Sequence, residues 1–212
     1  MKVSVIMASY LGDYPGNICK NKDKKFIRAV NSFLKQSYTG EKELIIVGDG
    51  CQKTKEIYEA NWKDNKEIKY FGSAKQPTYA GGIRDIGIKI ADGDIICYLD
   101  NDDVLGKTHI ETIVEQFTDD VDWVYYDDYM VLDAKFTKFY TRYVDPRYGS
   151  IGTSSVAHKN PEKCDKLKDL RWFNGYAHDF LFVLKLAALG TNFKKLKKTP
   201  QYIVCHYKDG NF

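Results

Sequence analysis

The fold is indicated most clearly by residues 83–103, IRDIGIKIADGDIICYLDNDD. Apolar residues fall at helical spacing over 83–91, a short turn follows, and 95–99 form an unbroken apolar run. The run ends in three carboxylates, those of Asp100, Asp102 and Asp103. Helix, buried strand and polar turn in this order are typical of a parallel α/β sheet, in which ligands bind at the carboxyl ends of the strands.

The preceding residues repeat this alternation of strand and helix. The apolar pattern predicts strands at 3–8, 44–47 and 68–71, a helix that carries Phe26 to Leu34, and a helix at 53–62. Crossover helices between such strands imply a mostly parallel sheet. The strand ends direct attention to Tyr10, Asp49 and Asp100.

After Asp103 the predicted order becomes mixed. We expect a helix at 108–117, a strand at 121–131, a hairpin within 135–144, a mobile loop at 145–175, a helix at 177–189 ended by Gly190, and a last strand at 202–207. The predicted fold is α/β, a Rossmann-like sheet flanked by helices with a smaller mixed region. We expect one domain, 1–212, with a first half at 1–103 and a second at 104–212.

The composition and net charge indicate which kinds of partner and which cellular compartment to expect. Hydrophobic residues make 43% of the chain and charged residues 29%, as in soluble globular proteins. The net charge of +3 gives no reason to expect a nucleic-acid partner. Five cysteines without a C-x-x-C pair, and an N-terminal apolar run of only about six residues, predict a cytoplasmic protein.

Four lysines lie close together near the C-terminus. They are Lys194, Lys195, Lys197 and Lys198. Such a cluster suits either a solvated face or an anionic surface, so peripheral association with a membrane stays open. The sequence does not indicate the oligomeric state.

The acidic turn is a candidate metal site. Asp100 and Asp102 follow an apolar strand, and hard carboxylate oxygens there suit Mg²⁺ or Mn²⁺ held together with a diphosphate. A solvated turn or a helix cap is the alternative for an isolated acidic turn.

Five ordered segments resemble those of the family 2 inverting glycosyltransferases with the GT-A fold. They are 3–10 (VSVIMASY), 43–50 (ELIIVGDG), 84–88 (RDIGI), 91–94 (ADGD) and 99–103 (LDNDD). Residues 175–179 (GYAHD) resemble the acidic pair that opens the acceptor-side helix of that family. The resemblance covers most of residues 1–190.

The resemblance implies roles for single residues on the donor side. Asp49 corresponds to the aspartate that contacts the nucleotide base, and Arg84 to a residue near the diphosphate or donor sugar. Asp100 and Asp102 correspond to the D-x-D metal motif, with Asp102 as the direct ligand. The remaining nucleotide contacts implied are Ala8, Ser9 and Tyr10.

On the acceptor side, the resemblance implies that Asp179 is the general base. His206 is a candidate for the metal shell, with a buried histidine bonded to a backbone carbonyl as the alternative. Trp172 and Phe173 are candidates for stacking on an acceptor sugar or for core packing.

Three positions depart from the family pattern. Gly48 and His178 stand where many members have acidic residues, and Asp85 stands where asparagine is usual. These departures bear on the identity of the donor.

These residues predict a metal-dependent inverting transfer of sugar from a nucleotide-sugar, expected to be a UDP-sugar, to a hydroxyl of a glycan or other acceptor. Two alternatives remain open. One is a noncatalytic nucleotide-sugar-binding module. The other is a sugar-nucleotide nucleotidyltransferase, which the absence of a glycine- and lysine-rich triphosphate loop after the first strand disfavours.

Overall fold

Four parallel strands organise the first half of the chain. The computed structural model describes residues 1–13, 20–77, 79–133, 135–189, 192–198 and 200–205. The strands are β1 (Val3–Ser9), β2 (Lys42–Asp49), β3 (Ile68–Ser73) and β4 (Ile95–Tyr98), and they lie in the order β3-β2-β1-β4. The helices between them are α1 (Lys22–Leu34), α2 (Gln52–Asn61) and α3 (Gly81–Ile90). The predicted alternation of strands and helices is confirmed.

The second half adds short strands and two further helices. They are β5 (Val104–Leu105), α4 (His109–Val114), β6 (Trp123–Tyr125), β7 (Asp128–Val131), β8 (Phe139–Arg142), β9 (Val156–Lys159), α5 (His178–Ala188), β10 (Phe193–Lys195) and β11 (Tyr202–Val204). Strands β9, β6 and β10 extend the main sheet beyond β4, with β9 antiparallel to both neighbours. A second sheet has the order β5-β11-β7-β8.

Three predictions for this half are wrong in detail. Residues 121–131 form two strands, because β6 pairs with β9 and β10 whereas β7 pairs with β8 and β11. The hairpin expected within 135–144 is formed instead by β7 and β8. Residues 145–175 contain β9, a four-residue strand inserted between β4 and β6. The intrinsic strand preference of the residues cannot predict these differences, because strand pairing depends on hydrogen bonds to partner strands elsewhere in the chain.

Both faces of the main sheet are buried. Side chains alternate along β1, so Val5 and Met7 join the core beneath α1 and Ile6 joins the core beneath α3 and α5. Phe26 of α1 and Phe182 of α5 are fully buried on these two faces. Within the described ranges, none of the helices has the length and apolar character to cross a bilayer.

Helix α3 lies unusually close to β1 at Gly87. A Cβ atom there would lie 2.5 Å from Ile6 Cγ2, a distance that a packed core does not accommodate without movement. Gly82 in the same helix has room, since its Cβ would lie 3.6 Å from Asn174 Oδ1. The absence of a side chain at Gly87 therefore sets the height of α3 above the sheet.

We predict that Gly87→Ala lowers the free energy of unfolding by about 1–3 kcal/mol, because the added methyl group must displace Ile6. Gly82→Ala, the matched control, should leave stability unchanged or raise it by up to about 1 kcal/mol. Urea denaturation followed by circular dichroism measures both. Equal stability of the two variants would contradict this account of α3 packing.

Candidate active site

The carboxyl ends of β1, β2 and β4 meet at one edge of the main sheet. Strand β1 pairs with β2 up to Ser9 and Gly48, and Leu99 N–H donates to Ile6 O at 3.0 Å as β4 ends. The side chain of Asn101 donates to Ser9 Oγ at 3.3 Å. The strand-end segments predicted as nucleotide contacts, Ala8 to Tyr10 with Asp49, thus adjoin the acidic turn.

Asp49 is nearly buried at the end of β2. Its Oδ1 accepts the backbone N–H of Gln76 at 2.6 Å, and its Oδ2 accepts Lys75 Nζ at 2.7 Å. Lys75 Nζ also lies 4.6 Å from the centre of the Tyr10 ring. Each carboxylate oxygen can accept a further hydrogen bond, so these contacts orient Asp49 and leave it able to bind a ligand N–H.

Arg84 of α3 joins two of the predicted site carboxylates. The residue is 5% exposed, and its Nη2 donates to Asp100 Oδ1 at 2.8 Å. Its Nη1 lies 4.0 Å from Asp179 Oδ1 and has no hydrogen-bond partner among the described residues. Burial opposes the charged form, but the charges of Asp100 and Asp179 outweigh it and raise the pKa of Arg84.

Asp179 in the first turn of α5 is held through one oxygen. Thr153 donates its hydroxyl to Oδ1, His178 Nδ1 lies 2.8 Å from Oδ1, and the arginine contact falls on the same atom. The side chain is 35% exposed. Within the described residues every contact of this carboxylate falls on Oδ1, so Oδ2 has no contact there.

The surroundings of Asp179 favour its ionised form. Burial raises the pKa of Asp179, but the contact with His178 and the positive charge of Arg84 outweigh burial and leave the pKa below the usual value. The N-cap of α5 is Ala177 and makes no side-chain capping bond. Asp179 is therefore not a helix cap, and its position in the first turn adds a favourable helix dipole.

The three carboxylates of the acidic turn differ in their roles. Asp103 is 1% exposed, accepts the hydroxyl of Tyr202 at 3.0 Å and accepts Cys205 N–H at 2.7 Å. Burial, with the neighbouring Asp102 and Asp100, raises the pKa of Asp103 well above its usual value. Asp103 thus anchors β11, and Asp100 and Asp102 remain as candidates for ligand contact.

The donor set for a metal is small in the described part of the chain. No group of three or more His, Cys, Asp and Glu side chains suited to a metal occurs there. Asp100 uses Oδ1 for Arg84, and Arg28 donates to the backbone carbonyl of Asp102 at 2.6 Å. His206, the other predicted ligand, lies outside the described residues.

The predicted aromatic candidates separate into core and surface. Trp172 is 6% exposed, stacks on Phe182 at 4.0 Å, and donates its indole N–H to Tyr98 Oη at 3.2 Å. Its ring also lies 4.9 Å from the guanidinium carbon of Arg84. Trp172 is a core residue that supports Arg84, so stacking of Trp172 on a sugar is excluded, whereas Phe173 is 40% exposed.

Several site residues were missed in the sequence. Thr153 holds Asp179 from a segment that we expected to be a loop, and Lys75 and Gln76 hold Asp49 from a polar stretch after β3. Asp85, noted only as a departure from the family pattern, accepts the backbone N–H of Trp172 at 2.7 Å. Thr153, Lys75 and Gln76 belong to no motif, and only tertiary contacts reveal what these residues and Asp85 hold in place.

The lysine cluster is partly engaged within the chain. Lys195 Nζ lies 2.8 Å from Asp127 Oδ1, and Lys198 Nζ lies 3.8 Å from Glu115 Oε2. These pairs favour a solvated, ion-paired face, and peripheral association with a membrane stays a prediction.

Comparison with known proteins identifies relatives. The family model described as Glycosyl transferase family 2 matches residues 18–175. An uncharacterized glycosyltransferase of Nostoc sp. is 32% identical over 124 residues, which cover 57% of this chain and 34% of that protein. An uncharacterized glycosyltransferase of Rickettsia conorii is 34% identical over 110 residues, 52% of this chain and 16% of that protein. The matched segments thus span well under half of either relative.

Solved structures show the same fold. A crystal structure of S. aureus TarS 1–349 in complex with UDP-GlcNAc matches 100% of this chain and 60% of that chain, with a TM-score of 0.70 and 18% identity. The structure of the same protein in complex with UDP has a TM-score of 0.70 and covers 97% of this chain. The predicted GT-A fold is confirmed.

We predict that Asp179 titrates below the ordinary aspartate pKa of about 3.9 and that Arg84→Gln raises its pKa. Since the folded pKa is lowered, the ionised carboxylate adds stability above the unfolded pKa, and this stability is lost as the pH falls through the folded value. Carboxyl ¹³C NMR titration measures the shift. Arg142→Gln, which breaks an ion pair with Asp128 instead, is the control. An unchanged Asp179 pKa in Arg84→Gln would contradict the assignment.

Proposed function

The chain belongs to glycosyl transferase family 2, and on that premise we propose that it transfers a sugar from a nucleotide-sugar to a hydroxyl group of a glycan or other acceptor. The observation that carries the proposal is the cluster of Arg84, Asp100 and Asp179. It places an ionised carboxylate with one unengaged oxygen beside the carboxyl ends of the parallel strands. Nucleotide ligands of open α/β sheets bind at that edge.

A UDP-sugar is the proposed donor. The TarS structures that share this fold are complexes with UDP-GlcNAc and UDP, and this likeness supports a uridine nucleotide here. In this chain Asp49 would accept the N–H of the base. Tyr10 lies nearby, because Lys75 contacts both Asp49 and the Tyr10 ring. Arg84 Nη1, a buried donor without a described partner, would then bind an anionic oxygen of the donor.

The proposed general base is Asp179. An acceptor hydroxyl that donates to Oδ2 loses its proton to this carboxylate as its oxygen attacks the anomeric carbon. The bond from that carbon to the diphosphate breaks on the opposite face, and the nucleoside diphosphate leaves with the bonding electron pair. In-line displacement by one acceptor oxygen inverts the configuration. Thr153 and Arg84 fix Oδ1, so the basic oxygen is oriented before the acceptor binds.

We also propose a divalent cation, Mn²⁺ or Mg²⁺, at the acidic turn. Asp100 and Asp102 are hard oxygen donors of the kind that Mg²⁺ and Mn²⁺ prefer, and an ion there would take its remaining ligands from a diphosphate and water. When bound, such an ion would neutralise negative charge that develops on the leaving diphosphate. Arg84 orients Asp100 through its hydrogen bond to Oδ1.

We predict that Asp179→Asn reduces sugar transfer by about 10² or more, because asparagine cannot accept the acceptor proton. UDP binding should change little, and urea denaturation checks that the variant, which loses one of the carboxylates beside buried Arg84, stays folded under the assay conditions. Asp169→Asn, an exposed aspartate in the same half, is the control and should transfer at the parent rate. Product formation from UDP-GlcNAc, followed by mass spectrometry, measures the effect. Transfer by Asp179→Asn at close to the parent rate would remove Asp179 from the mechanism.

We predict that Mn²⁺ strengthens UDP binding and that Asp102→Asn abolishes this gain. Calorimetric titrations with UDP, in Mn²⁺ and in EDTA, measure the difference for the parent, Asp102→Asn and the exposed control Asp64→Asn. Equal affinity of the parent in Mn²⁺ and in EDTA would reject the metal site.

A noncatalytic binding module is distinguished by turnover, because it would bind UDP-sugar without transferring or hydrolysing it.

A further inference from the structure

Two exposed tyrosines lie against each other beside the proposed base. Tyr176 is 79% exposed and Tyr79 is 51% exposed. Their ring centres are 6.1 Å apart with an interplanar angle of 73°, an edge-to-face pair. The Tyr79 ring also lies 5.7 Å from the ring of His178, whose Nδ1 is 2.8 Å from Asp179 Oδ1. The pair is therefore one side chain away from the base.

The two tyrosines come from different parts of the site. Tyr79 precedes α3, the helix of Arg84, and Tyr176 precedes α5, the helix of Asp179. The two segments are in close backbone contact, since a Cβ atom on Gly81 would lie 2.0 Å from the carbonyl oxygen of Phe173. An exposed tyrosine alone is ordinary, but this pair is positioned by the elements that carry the catalytic groups.

The backbone around the tyrosines is unusual. Tyr79 has a φ of 37° and Gly175, directly before Tyr176, has a φ of 104°. A left-handed conformation is one that a tyrosine rarely adopts. Neither ring fills the core, so core packing does not account for this placement.

Resting on the proposed function, we infer that Tyr79 and Tyr176 form an aromatic subsite that binds the pyranose ring of the acceptor sugar. An aromatic ring offers a flat apolar face to the C–H face of a sugar, and its hydroxyl offers a polar edge. The donor contacts lie at the ends of β1, β2 and β4, whereas the tyrosines lie on the His178 side of Asp179. A sugar ring held there would lie next to the proposed base, one side chain away from it.

The test uses the full chain with UDP-GlcNAc as donor. Acceptors are the p-nitrophenyl β-glycosides of GlcNAc, glucose and galactose, and the variants are Tyr176→Ala, Tyr176→Phe and Tyr79→Ala. Tyr140→Ala, an exposed tyrosine on the edge strand β8, is the control. Tyr176→Ala and Tyr79→Ala should raise the acceptor KM by about tenfold, and Tyr176→Phe by no more than about twofold. The Kd for UDP should stay unchanged.

A binding measurement keeps the test independent of turnover. Saturation-transfer NMR with the corresponding methyl β-glycosides, in the presence of UDP, should show contact in the parent and its loss in Tyr176→Ala. The subsite is rejected if the parent binds none of the glycosides or if the alanine variants retain the parent KM. It is also rejected if Tyr140→Ala raises the acceptor KM as much, or if the variants weaken the binding of UDP instead. Glycoside binding through Tyr176 without any sugar transfer would contradict the proposed function alone.

Discussion

The site depends on a guanidinium group withdrawn from water. Arg84 is 5% exposed, and breaking a buried ion pair by removing one partner typically costs about 3–5 kcal/mol. Its position therefore requires the carboxylates that surround it. Asp100 comes from the turn after β4 and Asp179 from the start of α5, so one cation holds the first half of the chain against the second.

The same cation also contributes to the ionisation of Asp179. The dipole of α5 favours the same charged form, by up to about 2 kcal/mol in a partly buried position. Arg84 and His178 together offset the burial that would otherwise raise the pKa of Asp179. Trp172 supports Arg84 from below, and Asp85 fixes the backbone of Trp172. Asp179, the proposed base, is thus kept ionised by the charged and polar groups packed around it.

The first half of the fold could be predicted well from the sequence, because each of its strands and helices has its own periodic pattern of apolar residues. Asp49, Arg84, Asp100 and Asp179 could be predicted as site residues because they stand at strand and helix ends or within family motifs. Strand β9 was missed because four residues are too few to show a periodic pattern of apolar residues, and because its partner strands are distant in sequence. Thr153, and the role of Asp103 as an anchor for β11, depend on tertiary hydrogen bonds that no local pattern encodes.

We propose that the strand ends and Asp179 form one site for a nucleotide-sugar and its acceptor. A crystal structure with UDP and Mn²⁺ would show where both ligands bind. We expect the uracil beside Asp49, the diphosphate between Asp102 and Arg84, and Asp179 next to the space beyond the terminal phosphate. UDP bound away from the carboxyl ends of β1, β2 and β4, or a diphosphate remote from Arg84, would contradict it.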